Sequence, residues 1–198
     1  VTVTGDLRLV SGTVLTIEGT LNIPENVSVT IEDGAKLIIS GQTAKVENNG
    51  TILIQSTGAS NTDNGGLQLN GGIFTNNGTI SAQYLPTGTA PENDLTIITV
   101  GANATLKNAG TVSIGADSKI IVTGAFDNEA GATFDMGGTF AGTYNNAGTV
   151  NISGVAAKQT DKDPAIAQTA EGAVVNINAL TGTVNISDAK MKAPEDKT

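Results

Sequence analysis

The side chains available for chemistry in this chain are carboxylates, amides and hydroxyls, because its 198 residues include no His and no Cys. This composition excludes thiol nucleophiles, hydrolytic triads built on histidine and the usual zinc ligands. Arg8 is the sole arginine, and the chain has no Trp and only two phenols, Tyr84 and Tyr144. It therefore offers neither a cleft that combines carboxylates with arginine nor aromatic platforms for sugars. We predict that the protein is not an enzyme, and a polysaccharide-degrading enzyme is the least favoured alternative.

Three short polar segments carry the oxygen ligands that calcium prefers. They are residues 61–65, which include Asp63, residues 92–94, which end at Asp94, and residues 161–163, which begin at Asp161 and end at Asp163. None of the three has the ligand spacing of an EF-hand loop. Asp, Asn and Gly are also frequent in turns for conformational reasons. These carboxylates are calcium candidates, turn formation is the favoured interpretation, and no other cofactor is expected.

Possible glycan attachment is the second chemical feature. Asn-x-Ser/Thr sequons occur at Asn26, Asn49, Asn77, Asn103, Asn151 and Asn185. In a chain this rich in Asn and Thr, most sequons arise from composition alone. Asn151 and Asn185 lie between aliphatic residues in strand-like segments, so alternation places them on the outside. These two are the candidate glycosylation sites.

A recurring Asn-x-Gly-Thr-aliphatic phrase indicates how these residues are positioned. Its asparagines are Asn48, Asn76, Asn108 and Asn146, and its glycines are Gly50, Gly78, Gly110 and Gly148. The phrase predicts a corner, in which glycine allows a bend or a tight approach and the β-branched threonine opens the next strand. We expect the asparagines, with Asn145 as an alternative to Asn146, to stack in neighbouring coils as a ladder of side-chain amides.

Short strand-like segments with alternating apolar and polar residues fill most of the sequence. Gly-Ala phrases at positions such as 34–35, 115–116 and 131–132 interleave with the first phrase. No segment has the apolar spacing of a helix over ten or more glycine-free positions. The glycines at 19, 34 and 50 are spaced as expected for one small coil, or for a large part of a bigger coil, of a parallel β-solenoid. About 9 to 12 such coils, with strands ~4.8 Å apart, would give a rod of ~45 to 60 Å.

The predicted organisation is a single all-β domain over residues 1–187, followed by a polar tail over residues 188–198. Polar segments near 56–66, 84–94 and 155–170 are interpreted as loops inserted at corners, where a solenoid tolerates extra residues. Only 3% of the residues are aromatic, which favours a narrow interior filled by aliphatic side chains. Within each strand alternate residues face inward, so Val112 and Ile114 should stack with Val150 and Ile152 or with nearer equivalents.

Charge and hydropathy limit the partners. The formal charge of -9 and the lack of a Lys/Arg cluster argue against nucleic acid. No stretch approaches the roughly 20 apolar residues that span a bilayer, so no membrane-spanning segment is expected. The sequence starts in a strand-like segment without an initiator Met, which is typical of a mature or excised form whose signal segment has been removed.

The alternation of Gly19-Thr20-Leu21-Asn22-Ile23 with Gly-Ala-x-Leu-x-Ile and Asn-Asn-Gly-Thr-Ile phrases resembles the β-solenoid regions of bacterial and archaeal cell-surface proteins. Adhesins and S-layer-associated proteins are among them. The resemblance implies a right-handed parallel β-helix at the cell surface or outside the cell. Its motifs are architectural and bring no catalytic residues.

The first and last strands suggest a function, because the ends of a solenoid expose unpaired backbone edges. The candidate assembly residues are Val1, Val3, Leu7 and Leu9 at one end and Val175, Ile177, Val184 and Ile186 at the other. Head-to-tail contact between such ends does not close, so it builds a filament or a surface lattice. The leading hypothesis is a structural subunit that forms a homopolymer. The alternative is an adhesin-type module or stalk whose inserted loops contact a glycan or a protein.

Overall fold

The computed structural model describes residues 1–56, 66–84 and 96–188. These residues form 22 strands and no helix, and the strands pair in parallel. This arrangement confirms the predicted all-β parallel β-helix. The alternation seen in the sequence explains it: in strands such as Thr149–Ile152, the aliphatic residues are buried and the Thr and Asn residues are not.

The strands, numbered in chain order, form three faces. Face 1 contains β1 (Leu7–Leu9), β4 (Ser28–Ile31), β7 (Thr51–Ser56), β10 (Thr79–Tyr84), β13 (Thr111–Ile114), β16 (Thr133–Met136), β18 (Thr149–Ile152) and β21 (Val174–Ile177). Face 2 contains β2 (Val14–Ile17), β5 (Lys36–Ile39), β8 (Gly66–Leu69), β11 (Thr96–Val100), β14 (Ser118–Val122), the first half of β17 (Thr139–Asn146) and β19 (Val155–Ala156). Face 3 contains β3 (Thr20–Ile23), β6 (Lys45–Asn48), β9 (Gly72–Asn76), β12 (Ala104–Asn108), β15 (Ala125–Asn128), the second half of β17, β20 (Ala165–Gln168) and β22 (Asn185–Asp188).

One turn of the chain visits the three faces in order, so the eight strands of face 1 mark eight coils. The sequence predicted about 9 to 12. The difference arises because the regular glycine spacing covers only part of a turn. Gly19 precedes a strand of face 3 and Gly34 precedes a strand of face 2, whereas the full repeat on face 2 runs from β2 to β5.

The interior consists of columns in which each coil supplies one inward side chain. On face 1, Val112 and Ile114 pair in register with Phe134 and Met136, which pair in turn with Val150 and Ile152. All six are buried. The expected stacking is confirmed through these nearer equivalents. Each coil is buried by its two neighbours. Loss of the side-chain contacts between two adjacent coils should therefore weaken the rod only at that level.

The interior departs from the predicted aliphatic one, because the five aromatic side chains that the structure describes are all buried in it: Phe74, Phe126, Phe134, Phe140 and Tyr144. Phe126 and Phe134 stack with ring centroids 4.5 Å apart, and Tyr144 lies 5.4 Å from each of them. In the same coil Gly142 occupies the inward column of Val100 and Val122 and contributes no side chain. A Cβ atom on Gly142, whose φ is 118°, would lie 2.1 Å from the carbonyl oxygen of Val122, so close approach of the backbone requires glycine at this position.

Tyr144 is fully buried, and its hydroxyl donates a 2.9 Å hydrogen bond to the carbonyl oxygen of Ala141. Burial raises the pKa of the Tyr144 phenol far above its ordinary value of about 10, because the phenolate would lose its hydration. The unfolded chain ionises near the ordinary pKa while the folded chain stays neutral. Stability linked to Tyr144 is therefore complete below pH ~10 and is lost as the pH rises above it.

We predict that the free energy of unfolding of the native protein falls, between pH 10 and pH 11, by about 1 kcal/mol more than that of a Tyr144→Phe variant. At pH 7 the variant should be about 1 kcal/mol less stable, since it lacks the bond to Ala141. Denaturant titrations followed by circular dichroism would measure both values. The comparison is internally controlled, because the two proteins differ only at residue 144. Parallel pH profiles would contradict the prediction.

Two of the three predicted inserts, near 56–66 and 84–94, fall mainly on residues 57–65 and 85–95, which lie outside the described residues, as does the tail after Asp188. The third insert, over residues 155–170, is wrong in extent. β19 and β20 lie within it and pair with β17 on faces 2 and 3. Only residues 157–164, with a turn closed by Gln159 and Lys162, lie between those strands. Because this segment contains several charged residues, its two short strands, which continue the coil, were not recognised in the sequence.

Candidate functional site

The corner between face 3 and face 1 contains a continuous ladder of buried side-chain amides. Nδ2 of each asparagine donates to the side-chain oxygen in the next coil, from Asn48 to Asn76 at 2.7 Å and from Asn76 to Asn108 at 2.8 Å. The series continues at 2.8, 2.8 and 2.6 Å through Asn108, Asn128, Asn146 and Gln168. The structure thus brings together all four candidate asparagines, and it places Asn145 on the outside, bonded to Asp127.

Each amide of the ladder also satisfies backbone. Nδ2 of Asn76 donates to the carbonyl oxygen of Thr111 at 3.0 Å, and Nδ2 of Asn108 donates to that of Thr133 at 2.9 Å. Each acceptor is the first residue of a face 1 strand in the following coil. The ladder therefore ties the corner of one coil to the strand of the next. Oδ1 of Asn48, at the first position of the ladder, is the exception, since it is buried without a hydrogen-bond partner among the described residues. In a buried setting, amides bonded to the neighbouring coil in this way specify register.

The glycines of the phrase are required by tight stacking and not by their backbone angles. The φ values of Gly50, Gly78, Gly110 and Gly148 lie outside the left-handed region. A Cβ atom on Gly110 would lie 2.1 Å from the carbonyl oxygen of Gly78, and one on Gly78 would lie 2.1 Å from that of Gly50. Of the two reasons that the sequence offered for these glycines, close approach is the one found at this corner.

Asn128 and Gln168 are ladder members that sequence reasoning missed. Asn128 ends β15, but Glu129 and Ala130 separate it from the next Gly-Ala pair, so the corner is longer than the phrase allows. A usable signal was present, since Asn128 ends a strand just before Thr133 opens the next. Gln168 ends β20 inside the segment that was interpreted as a loop.

The two candidate glycosylation sites differ in accessibility. Asn151 is half-buried; its Nδ2 donates to Oδ1 of Asp135 at 2.6 Å, and its Oδ1 accepts from Asn176 at 2.9 Å. A glycan would be joined to the same Nδ2 atom that is bonded to Asp135, in a side chain that lies between its neighbours in the outward column. Asn185 is exposed at the start of β22. Of the two, only Asn185 presents a side chain that is open to modification.

Two of the calcium candidates, Asp63 and Asp94, lie outside the described residues. Asp161 is exposed in the turn after Gln159, and Asp163 lies 3.8 Å from the ammonium group of Lys158. No group of three or more acidic or histidine side chains suited to a metal ion occurs in residues 1–56, 66–84 and 96–188. Nothing in this turn adds ligands to the two aspartates.

Exposed apolar side chains are concentrated at the two ends of the rod. Among the described residues the large exposed ones are Val1, Val10, Val14, Ile73, Val155, Val174, Ile177 and Ile186. All but two of these, Ile73 and Val155, belong to the first or the last coil. Such a distribution at the ends, with largely polar side walls, is typical of a surface that packs against another protein.

The candidate assembly residues differ in exposure. Val1, Ile177 and Ile186 are exposed, and Leu9 is buried at 4%. Val3, Leu7, Val175 and Val184 are partly buried against the core. Leu15 and Ile17 of β2, which pair with the buried Leu37 and Ile39, belong to the same end surface and were missed, because the sequence did not reveal that β2 lies in the first coil. Val14 of the same strand is 57% exposed but faces outward, opposite Lys36.

Backbone edges accompany these side chains. Within the described part of the chain, β1 and β2 each pair on one side only, with β4 and β5, and β21 pairs only with β18. The outer edge of β3 carries the segment Val1–Val3, in which the amide of Val3 donates to Asn22 and the amide of Asn22 donates to Val1, both at 2.9 Å. The strand expected at the start of the chain is reduced to this single bridge.

A groove of about 240 Å³ lies along the edge between faces 1 and 2, in the last four coils. Asp117, Ser153 and Thr181 supply polar groups, and Val155 and Leu180 supply apolar ones. Glycines form its floor because a Cβ atom on Gly154 would lie 2.0 Å from the oxygen of Gly138. Its floor is therefore explained by coil stacking.

No family model, curated protein or solved structure matches this chain. The likeness to adhesins and S-layer-associated proteins therefore remains one of sequence phrases. The described residues also contain no helix that is long and apolar enough to cross a membrane. What the molecule offers a partner is a rigid β-solenoid with two apolar ends and one polar groove.

Proposed function

We propose that this protein is a non-enzymatic structural subunit of the cell surface or extracellular space, which assembles end to end into a filament or lattice. The observation that carries the proposal is the concentration of exposed apolar side chains at the first and last coils, beside strand edges that residues 1–56, 66–84 and 96–188 leave unpaired. Open edges with apolar neighbours favour strand addition by another chain. The surface location rests on the resemblance of the repeats.

The columns of the interior suggest how two ends would meet. Leu7 and Leu9 begin the face 1 columns that end in Val175 and Ile177. With a second copy placed on the last coil, Leu7 would stack on Val175 and Leu9 on Ile177 as neighbouring coils stack within the rod. Backbone hydrogen bonds would continue from β21 to β1 of the next copy at the usual strand spacing of about 4.8 Å. Contact of this head-to-tail kind propagates.

A charge placed at one end tests the proposal. We predict that Ile177→Asp shortens or abolishes the filaments, because the carboxylate would lose its hydration inside the joint. Negative-stain electron microscopy and sedimentation over a wide range of protein concentrations would measure filament length. Ile73→Asp is the matched control, since Ile73 is a similarly exposed isoleucine on the side of the rod, at 40% against 53% for Ile177.

Equal shortening by both substitutions would point to a general effect of charge and would count against end-to-end contact. Native protein that remains a single short particle at all concentrations would refute assembly altogether. That second outcome would favour the alternative, an adhesin-type module that binds a glycan or a protein. The groove with Asp117, Ser153 and Leu180 supports this alternative, since polar groups beside an apolar wall suit a sugar.

A further inference from the structure

The two ends of the rod are not flush with each other. At the C-terminal end the described part of each face reaches the same coil, with β21 on face 1, Thr181 paired to Val155 on face 2 and β22 on face 3. At the other end, face 1 stops at β1 and face 2 stops at β2, but face 3 continues past β3 to Val1–Val3. Face 3 therefore has one extra strand level at this end.

This extra level conflicts with simple stacking of two copies. The chain winds through faces 1, 2 and 3 in turn. Val1–Val3, which precedes β1 in the sequence, therefore lies on face 3, one strand level beyond β3. If β1 of a second copy pairs with β21, then Val1–Val3 of that copy falls at the level already occupied by β22. If instead Val1–Val3 stacks on β22, faces 1 and 2 are each left one strand short at the joint. Both contacts cannot form together.

We propose that Val1–Val3 is a removable cap on β3, and that it leaves β3 when β22 of a second copy takes its place. This inference rests on the proposed end-to-end assembly and specifies which strands pair between the two copies. Released β3 would pair with β22, in the register that carries Leu21 through Phe126 and Tyr144 to Ile186 along face 3.

The cap is weakly held compared with the strand that would replace it. Val1–Val3 is held on β3 by one isolated bridge, between Thr2 and Asn22, with three hydrogen bonds: two backbone bonds to and from Asn22 at 2.9 Å and one from the amino terminus to the Thr20 carbonyl at 2.6 Å. Val1 is 87% exposed. β22 is a four-residue strand whose Ile186 is 45% exposed at the end of its column. Exchange replaces a short contact with a longer one and leaves all three sheets continuous through the joint.

A disulfide lock tests the cap directly, since the chain has no cysteine of its own. Thr2 and Asn22 are paired in parallel, and paired Cα atoms about 4.8 Å apart lie within the range that a disulfide spans. The double variant Thr2→Cys, Asn22→Cys is expected to lose filament formation when oxidised and to regain it when reduced. The control lock is Thr75→Cys, Lys107→Cys, a pair in the same outward column within the rod, which should assemble in both states.

A second variant keeps the inference testable if the cysteines perturb the fold. Deletion of residues 1–3 is expected to shorten the lag before filaments appear in light scattering, because the edge of β3 is then already free. Assembly of the oxidised lock at the reduced rate, or a longer lag after the deletion, would overturn the cap and leave end-to-end assembly intact. Absence of filaments from the native protein, both locks and the deletion variant would overturn the proposed function itself.

Discussion

Replacement of Gly110 with alanine is expected to destabilise the rod by about 3 kcal/mol or more. The added Cβ would lie 2.1 Å from the carbonyl oxygen of Gly78 and 2.7 Å from that of Asn77. These are backbone atoms of the neighbouring coil, which cannot rotate away as a flexible side chain would. The two coils must therefore move apart at this corner, which is also the corner that contains the amide ladder.

Because a solenoid is stabilised mainly by contacts between adjacent coils, the damage should be local. Urea unfolding of Gly110→Ala, followed by circular dichroism, is expected to show a lower midpoint and a broader transition, with one part of the rod melting before the other. Hydrogen exchange would place the early opening at β12 and β13.

Gly19→Ala is the matched control. Gly19 precedes Thr20 as Gly110 precedes Thr111, its φ lies outside the left-handed region, and nothing lies within 4 Å of a Cβ built on it. Its substitution should change the free energy of unfolding by less than about 0.5 kcal/mol. If the two variants were equally stable, close coil approach at Gly110 would not be what requires glycine there.

The fold could be predicted from the sequence, whereas the register between successive coils could not. Local alternation indicates strands, and the Asn-x-Gly-Thr phrase indicates corners, because both depend on neighbouring residues. The number of residues between equivalent corners varies, as the pairing of Thr51 with Thr79 and of Thr133 with Thr149 illustrates. Coil length depends on contacts between residues distant in sequence, so the glycine spacing could not distinguish one small coil from a large part of a bigger coil.

The end surfaces were only partly predictable for the same reason. Exposure of Ile177 and partial burial of Val175 follow from the lack of a following coil on face 1 within the described chain, which alternation alone does not reveal. The position of Val1–Val3 on β3 depends on a bridge between Thr2 and Asn22. No local pattern distinguishes such a cap from the first strand of a coil. The replacement of Val1–Val3 by β22 of a second copy could be inferred only from the order of the strands in the three faces.

Replacement of Asn108 with alanine is expected to cost about 3 kcal/mol of the free energy of unfolding. Asn108 lies at the middle of the ladder and is fully buried. Its Nδ2 donates to Oδ1 of Asn128 at 2.8 Å and to the Thr133 carbonyl at 2.9 Å. Alanine removes this donor and leaves two acceptors in a setting that water does not readily reach, which is more costly than the loss of a solvated hydrogen bond.

Asn77→Ala distinguishes the buried ladder from amide contacts in general. Asn77 also donates to an asparagine of the neighbouring coil, Oδ1 of Asn49 at 2.9 Å, but this bond is exposed. Water replaces an exposed partner, so the cost should be below about 0.5 kcal/mol. The two variants delete the same side chain from equivalent stacked pairs, so urea midpoints measured side by side isolate the effect of burial. Similar midpoints would mean that the ladder does not fix the register of the coils, and that the corner glycines alone define it.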